Sequence, residues 1–300
     1  MASSSISQSP ILHSIAATHL KPRSNPTTSF PWRRRTFRLP VIRASTLCES
    51  SALLHAAKHT VDTYIENGMV VGLGTGQASA MAIQYLGQQL RSGALKDLVG
   101  IPMTVAIASE AAKAGIPLDQ YATTSQIDFA FADADVMEEE TLVAVIGRRK
   151  LQEDESLIQE KLLLNAARKL VFMMTEKQYK SDLEGSIPVL VQSLGWMEAA
   201  EAIEDLFLGD AEVWRRAAIG QAGPTGGDFP LITREGHNIL DLIFTSPIQS
   251  LGEVARSLDK LGGVVDHGVI SKYPCTAVIA SSENGLRIVD QMPRDAAGIA

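Results

Sequence analysis

One stretch constrains this chain more than any other: Met69-Val70-Val71-Gly72-Leu73-Gly74-Thr75-Gly76-Gln77-Ala78-Ser79. The short apolar run Met69–Val71 reads as a buried strand. Three glycines follow at alternate positions. The chain then turns amphipathic, with Met81, Ile83, Leu86 and Leu90 at helical spacing. Strand, glycine turn and helix together offer backbone N–H groups and a positive helix end to an anion. Glycine is needed where a side chain would keep the backbone from a ligand. The stretch is not a P-loop, because no Gly-Lys-Ser/Thr follows. It is not the G-x-G-x-x-G dinucleotide fingerprint either, since Gly76 arrives one residue early. On these residues alone, a tight strand–helix turn without a ligand stands beside the anion-binding reading.

The remaining sequence narrows the class. Apolar residues make up 45% and charged residues 20%, which suits a folded protein with an α/β interior. No run reaches the roughly 20 apolar residues of a membrane span. Two cysteines, Cys48 and Cys275, make neither a disulfide framework nor a thiolate metal cage, which fits a reducing compartment. Residues 1–44 contain no Asp or Glu. They carry Lys21, Arg23, Arg33, Arg34, Arg35, Arg38 and Arg43 among many Ser, Thr and Pro. That is the composition of an organellar transit peptide. Val41-Ile42-Arg43-Ala44 looks like a chloroplast processing site, with cleavage near Ala44 and the stroma as destination. The alternative is a basic arm for nucleic acid. Removing these seven positive charges from a chain of net charge −7 leaves −14 on the remainder, a poor partner for nucleic acid.

Along the body, residues 49–66 read as a helix on which His55 and His59 lie four apart, a spacing that can hold a metal. No third ligand is near, and two ordinary histidines are the simpler reading. A helix is expected over 77–91 and a strand over Met103–Ala108. The helix after that strand has Ser109 as a plausible cap. Alternation of Ile127, Phe129 and Phe131 with Asp128 and Ala130 predicts a strand ending at Asp133-Ala134-Asp135. A helix over 155–168 and a strand over Leu170–Met174 follow. Strands alternating with helices imply a parallel sheet covered on both faces, with ligands at the carboxyl ends of its strands. Gly72–Gly76, Ser109, Asp133–Asp135 and Thr175–Lys177 fall at those ends.

Beyond Lys180 a second pattern starts. It comprises a strand over Ile187–Val191, a helix over Trp196–Phe207, a hairpin of Leu231–Thr233 with Ile239–Phe244, a helix over Ser250–Leu261 and a strand over Val264–Ile270. This order suggests a small α+β, ferredoxin-like module. The fold expected is therefore a Rossmann-like α/β domain, residues 45–178 plus 273–300. A smaller α+β domain, 179–272, is inserted before its last strand, Cys275–Ala280.

The order of motifs resembles the A-type ribose-5-phosphate isomerase family over essentially the whole chain after residue 44. Val71-Gly72-Leu73-Gly74-Thr75-Gly76 resembles its V-G-x-G-T-G-S-T phosphate turn. Ala108-Ser109-Glu110-Ala111 resembles S-S-E-A/T, and Ala114-Gly115-Ile116-Pro117-Leu118 resembles L-G-I-P-L. Ile127–Asp135 resembles v-D-l-a-i-D-G-A-D, Ile158-Gln159-Glu160-Lys161 resembles L-R-E-K, and Thr175-Glu176-Lys177 resembles D-x-S-K. Thr233-Arg234-Glu235-Gly236-His237-Asn238-Ile239-Leu240-Asp241 resembles T-D-N-G-N-x-I-L-D.

The resemblance implies interconversion of ribose 5-phosphate and ribulose 5-phosphate, in the pentose phosphate pathway and Calvin cycle. It implies no cofactor, no metal, no membrane, no nucleic acid and a homodimer. Glu160 is then the carboxylate that moves a proton between C2 and C1 through an ene-diol. Asp133, Asp135 and Lys150 stabilise the oxygen that becomes anionic. The substrate lies along Gly74, Thr75, Gly76, Gln77, Ala78, Ser109, Ala132 and Ala134, with Lys177 as counter-charge to its phosphate.

Several positions depart from the family. Ala132 stands where the first aspartate of D-G-A-D would be, and Asp133 where its glycine would be. Gln77-Ala78 replaces Ser-Thr, and Ser79 follows. Val145–Asp154 replaces a glycine-rich loop and leaves Arg148 or Lys150 as cation. By pattern alone Glu160 and Lys161 form a solvated pair on a helix, and Asp133 and Asp135 are strand-end turn formers. A weak or inactive paralogue that senses sugar phosphate is a second reading. A nucleotide-dependent enzyme such as a methyltransferase is a third.

Overall fold

The computed structural model describes residues 44–120, 126–148, 156–181, 183–218, 223–224, 229–271, 274–281 and 285–291. The chain enters through α1 (Ala44–Tyr64) and β1 (Val70–Leu73), then α2 (Gln77–Ser92), β2 (Val99–Pro102) and α3 (Val105–Ala114). After β3 (Ile127–Asp133) come the short β4 (Val136–Glu138) and β5 (Ala144–Val145), then α4 (Leu157–Ala166) and β6 (Ala167–Thr175). A short 3-10 helix, Glu176–Gln178, leads to β7 (Tyr179–Lys180). The second half runs β8 (Leu183–Val191), α5 (Trp196–Leu206), β9 (Ala211–Arg215), β10 (Asn238–Ile248), α6 (Leu251–Leu258), β11 (Val264–His267), β12 (Val269–Ile270), β13 (Cys275–Ser281) and β14 (Gly285–Asp290).

Six strands form the sheet that matters for the site, in the order β14-β13-β6-β3-β1-β2. All neighbours are parallel except the final β13–β14 pair. From β1 the chain steps to β2 on one side and then returns to β3 on the other. The order reverses between β1 and β3, and a crevice opens beyond the carboxyl ends of strands at such a switch. Thr75 follows β1 by two residues and Asp133 ends β3.

The two faces of β3 explain what packs where. Phe129 and Phe131 point into one core with Val61, Ala82, Ile83 and Leu86 from α1 and α2. Ala130 and Ala132 point into the other core with Leu157, Leu163 and Leu164 from α4. The strand is apolar on both faces, as a covered parallel strand must be. Its second face is built of small residues, and Gly72 of β1 pairs with Ala130. A Cβ on Gly74 would lie 2.1 Å from the Phe131 carbonyl oxygen, so glycine is required there for the two backbones to meet.

The second sheet runs β11-β8-β10-β9 with every neighbour antiparallel. Its chain order is strand, helix, strand, strand, helix, strand, the split βαβ arrangement expected from sequence. Its core gathers Ile187, Val189 and Val191 with Ile203 of α5 and Leu251, Val254 and Leu258 of α6. A third, small sheet, β12-β5-β4-β7, has no counterpart in the sequence reading.

Three local expectations are corrected. The strand expected over Met103–Ala108 is instead the end of β2 at Pro102 followed by α3. Thr104 caps that helix, its Oγ1 accepting from the Ile107 N–H at 3.2 Å. Ser109 therefore lies inside α3, exposed, and caps nothing. The turn near Gly236 forms, with Thr233 N–H donating to the His237 carbonyl. Its first arm nevertheless forms no strand among the described residues: Ile232 bridges Asn238 and the Leu231 N–H donates to the Arg216 carbonyl at 2.9 Å, while β10 pairs with β8 and β9. The inserted module precedes the last two strands of the larger sheet, since β14 adds an antiparallel edge to β13. No helix among the described residues is long and apolar enough to cross a membrane.

Candidate active site

The glycine turn closes on itself through Asp133. Gly76 is the N-cap of α2 and has no side chain to satisfy the first-turn amides. Its φ is 129°, open to glycine and strained for other residues. Asp133 supplies the missing acceptor from the neighbouring strand. Its Oδ2 accepts from the Ala78 N–H at 2.9 Å. Its Oδ1 accepts from the Ser79 N–H at 2.8 Å and from the Ser79 hydroxyl at 2.7 Å. The Asp133 N–H donates to the Thr75 carbonyl at 3.0 Å. A Cβ on Gly76 would lie 2.0 Å from the Asp133 carboxyl carbon, so this carboxylate fills the space left by the glycine. A negative group at a helix N-terminus is stabilised by the dipole and by the amides it receives.

Glu160 reaches the same turn from the opposite side. Ser156 caps α4, its hydroxyl accepting from Gln159 N–H at 3.1 Å. Leu157, Leu163 and Leu164 seat the helix against the alanine face of β3, which brings Glu160 under the turn, 4% exposed. There Thr75 Oγ1 donates to Glu160 Oε1 at 2.5 Å. The default solvated pair with Lys161 is not formed. Lys161 instead donates to Asp266 Oδ1 at 2.5 Å and to the His267 carbonyl at 2.9 Å in β11. A carboxylate held in a buried position beside a hydroxyl is chemically suited to proton transfer.

The other expected residues divide. Gly74, Thr75, Gly76 and Ala78 line the turn. Gln77 is exposed and donates to Ser50 of α1 at 3.4 Å. Ala132 and Ala134 are buried behind the turn. The Ala134 carbonyl accepts from Gln178 Nε2 at 2.6 Å, and Gln178 Oε1 also takes the Thr175 N–H, so this glutamine ties β6 to the end of β3. Asp135 is engaged with the segment after β5, its Oδ2 accepting from the Arg148 N–H at 2.8 Å. Burial holds the Arg148 guanidinium below the usual arginine range, and the charge of Asp135 opposes that shift. Lys177 is exposed and pairs with Glu49 of α1 at 3.3 Å. Ser109 lies on the exposed side of α3. Lys150 falls outside the described residues.

One buried pair escapes the sequence reading. Arg216, 5% exposed, donates through Nε to Asp241 Oδ2 at 2.9 Å and through Nη1 to the Gly147 carbonyl at 2.9 Å. Asp241, the last residue of the stretch that resembles T-D-N-G-N-x-I-L-D, thus holds the arginine that anchors the segment leading to Arg148. A doubled Arg215-Arg216 shortly after the charged Asp210 gives no signal of burial; only the apolar spacing of Val213 hints at a strand. A cavity of about 1450 Å³ opens elsewhere, lined by Glu138, Lys161, Arg256, Asp259 and His267 among others. Thr75, Asp133 and Glu160 do not line it, and their chemistry, not the size of the cavity, marks the candidate site. Among the described residues no group of three or more His, Cys, Asp or Glu is placed to hold a metal ion.

Comparison with known proteins adds a family. The family described as ribose 5-phosphate isomerase A, or phosphoriboisomerase A, matches residues 99–284. The chain is 34% identical over 238 residues to ribose-5-phosphate isomerase A of Gloeobacter violaceus, covering 78% of this chain and 94% of that one. It is 31% identical over 237 residues to the probable ribose-5-phosphate isomerase 3, chloroplastic, of Arabidopsis thaliana, covering 78% and 81%. Among solved structures, a D-ribose-5-phosphate isomerase in complex with phospho-erythronic acid superposes with a TM-score of 0.69 at 25% identity, covering 80% of this chain and 98% of that one.

Proposed function

We propose, on the premise that the chain belongs to the ribose 5-phosphate isomerase A family, that it interconverts ribose 5-phosphate and ribulose 5-phosphate. The observation that carries this reading is the buried contact between Glu160 and Thr75 at the switch point of the parallel sheet. In this reading the sugar lies over the glycine turn and Glu160 removes a proton from C2 and returns it to C1 through the ene-diol. The Thr75 hydroxyl orients the carboxylate. The phosphate end is anchored by first-turn amides of α2, so that binding remote from C1 and C2 fixes the reacting carbons. Lys177, exposed, serves as counter-charge to the phosphate by leaving its pair with Glu49, and Asp135 acts through the backbone of Arg148. A phosphorylated acid bound to the solved relative supports a sugar phosphate as ligand.

The experiment is direct. The purified chain is expected to convert ribose 5-phosphate to ribulose 5-phosphate, and Glu160→Gln is expected to abolish turnover. Turnover that survives this substitution removes Glu160 from its role. Ala132 and the seated Asp133 favour one second reading, a paralogue that binds sugar phosphate with little turnover. Saturable binding of ribose 5-phosphate without product would select it.

The same reading extends to organisation. Residues 1–44 act as a transit peptide toward the chloroplast stroma, supported by their composition and by the chloroplastic relative. The mature chain is a homodimer, with residues 45–178 plus 273–300 as one domain and 179–272 as another. Amino-terminal sequencing after import, sedimentation and limited proteolysis test these three points in turn.

A further inference from the structure

We propose that Asp133 is a specificity-determining residue: its carboxylate occupies the anion seat of the glycine turn and competes with the phosphate of the ligand. This rests on the isomerase reading and states how its phosphate seat is regulated. Three observations support it. Both carboxylate oxygens of Asp133 are spent on the amides of Ala78 and Ser79, and Oδ1 also holds the Ser79 hydroxyl. These are first-turn donors of a 16-residue helix with no acidic residue of its own in that turn. The carboxyl carbon lies within 2.0 Å of where a Gly76 side chain would start, the space a glycine turn keeps open for close approach of a ligand. Two anions cannot share the same amides, and a dianion brought beside the carboxylate is repelled. A phosphorylated ligand must therefore displace Asp133 from Ala78 and Ser79, and its affinity is lowered by the strength of those bonds.

The test uses the purified full chain with two variants, and inorganic phosphate as probe. Asp133→Gly empties the seat, while Asp133→Asn keeps the shape and removes the charge. Calorimetric titration is expected to give roughly tenfold tighter phosphate binding for Asp133→Gly than for the parent, with Asp133→Asn between them. The KM for ribose 5-phosphate is expected to fall in the same order. Phosphate is expected to raise the melting temperature of Asp133→Gly more than that of the parent, because it refills the seat and caps α2. If Asp133→Gly is too unstable to purify, Asp133→Asn alone decides the question by the same titration. Equal phosphate affinity in parent and variants, with the parent turning over ribose 5-phosphate, overturns the competition and leaves the isomerase reading standing. Absence of both turnover and pentose phosphate binding in parent and variants overturns both.

Discussion

Thr75 and Glu160 meet across 85 positions of sequence through a single hydroxyl-to-carboxylate bond of 2.5 Å. A charge-assisted bond of this kind in a buried setting orients the acceptor as well as stabilising it. Thr75→Val keeps the volume and removes the donor. We expect kcat for ribose 5-phosphate to fall by roughly tenfold or more with a smaller change in KM, and stability to drop by about 1–3 kcal/mol. Steady-state kinetics and urea unfolding measure both, and an unchanged kcat would sink the orienting role.

Arg216 and Asp241 form a buried ion pair that also reaches the Gly147 carbonyl. Asp241→Ala takes the carboxylate away from this buried guanidinium, and removal of one partner in such a pair costs about 3–5 kcal/mol. The double variant Arg216→Met with Asp241→Leu is expected to lose much less, since it buries no charge. Chemical denaturation of the three proteins separates the charge effect from packing.

His267 lies among Lys161, Asp259 and Asp266. Burial first, and the charge of Lys161 next, hold its pKa below the ordinary 6.5, against the opposing pull of Asp259 and Asp266. The folded state therefore binds this proton less readily than the unfolded state. Stability from this site is fully present above pH 6.5 and is lost as pH falls through the folded value. Urea midpoints measured on acidification from neutral pH should decline, and His267→Gln should flatten part of that decline. A decline as steep in the variant as in the parent would rule this histidine out.

The two cysteines should behave oppositely. Cys48 is exposed and Cys275 is buried, neither in a disulfide. Burial, and then the nearby Asp290 carboxylate, push the Cys275 thiol up to about 12. Since the thiolate is the reactive species, a thiol reagent in mildly alkaline buffer should titrate one group in the native chain and two in denaturant. Rapid reaction of two groups in the native chain would contradict the packing of β13.

What can be read in the sequence follows from how local each signal is. The alternation through Ile127, Phe129 and Phe131 is local and gives β3 its place and its faces. The helix at Gln77–Ser92 follows from its periodicity and from the glycine turn before it. β14 escapes notice because its residues are mostly exposed, Gly285–Asp290 being an edge with little apolar pattern. β9 escapes because Glu212 and Arg215 flank its one buried apolar residue, Val213. Ser109 is a false cap because a cap is chosen by backbone geometry, and Thr104 has that geometry. For the candidate site, Glu160 and the turn are visible through the family resemblance. The seat taken by Asp133 is not, since its partners lie 54 and 55 residues away and meet it only when β1 and β3 pair.

Residues 160 and 161 make α4 a yoke. Glu160 is fastened to the turn after β1, while the adjacent Lys161 is fastened to Asp266 and His267 at the edge of the other sheet. Successive side chains on a helix diverge by about 100°, so the two attachments pull in different directions and fix the helix in rotation as well as in position. Leu190 and Ile239 of the four-stranded sheet share a core with Leu157, Leu163 and Leu164 of the same helix, so the aim of the Glu160 carboxylate is a property of both layers together.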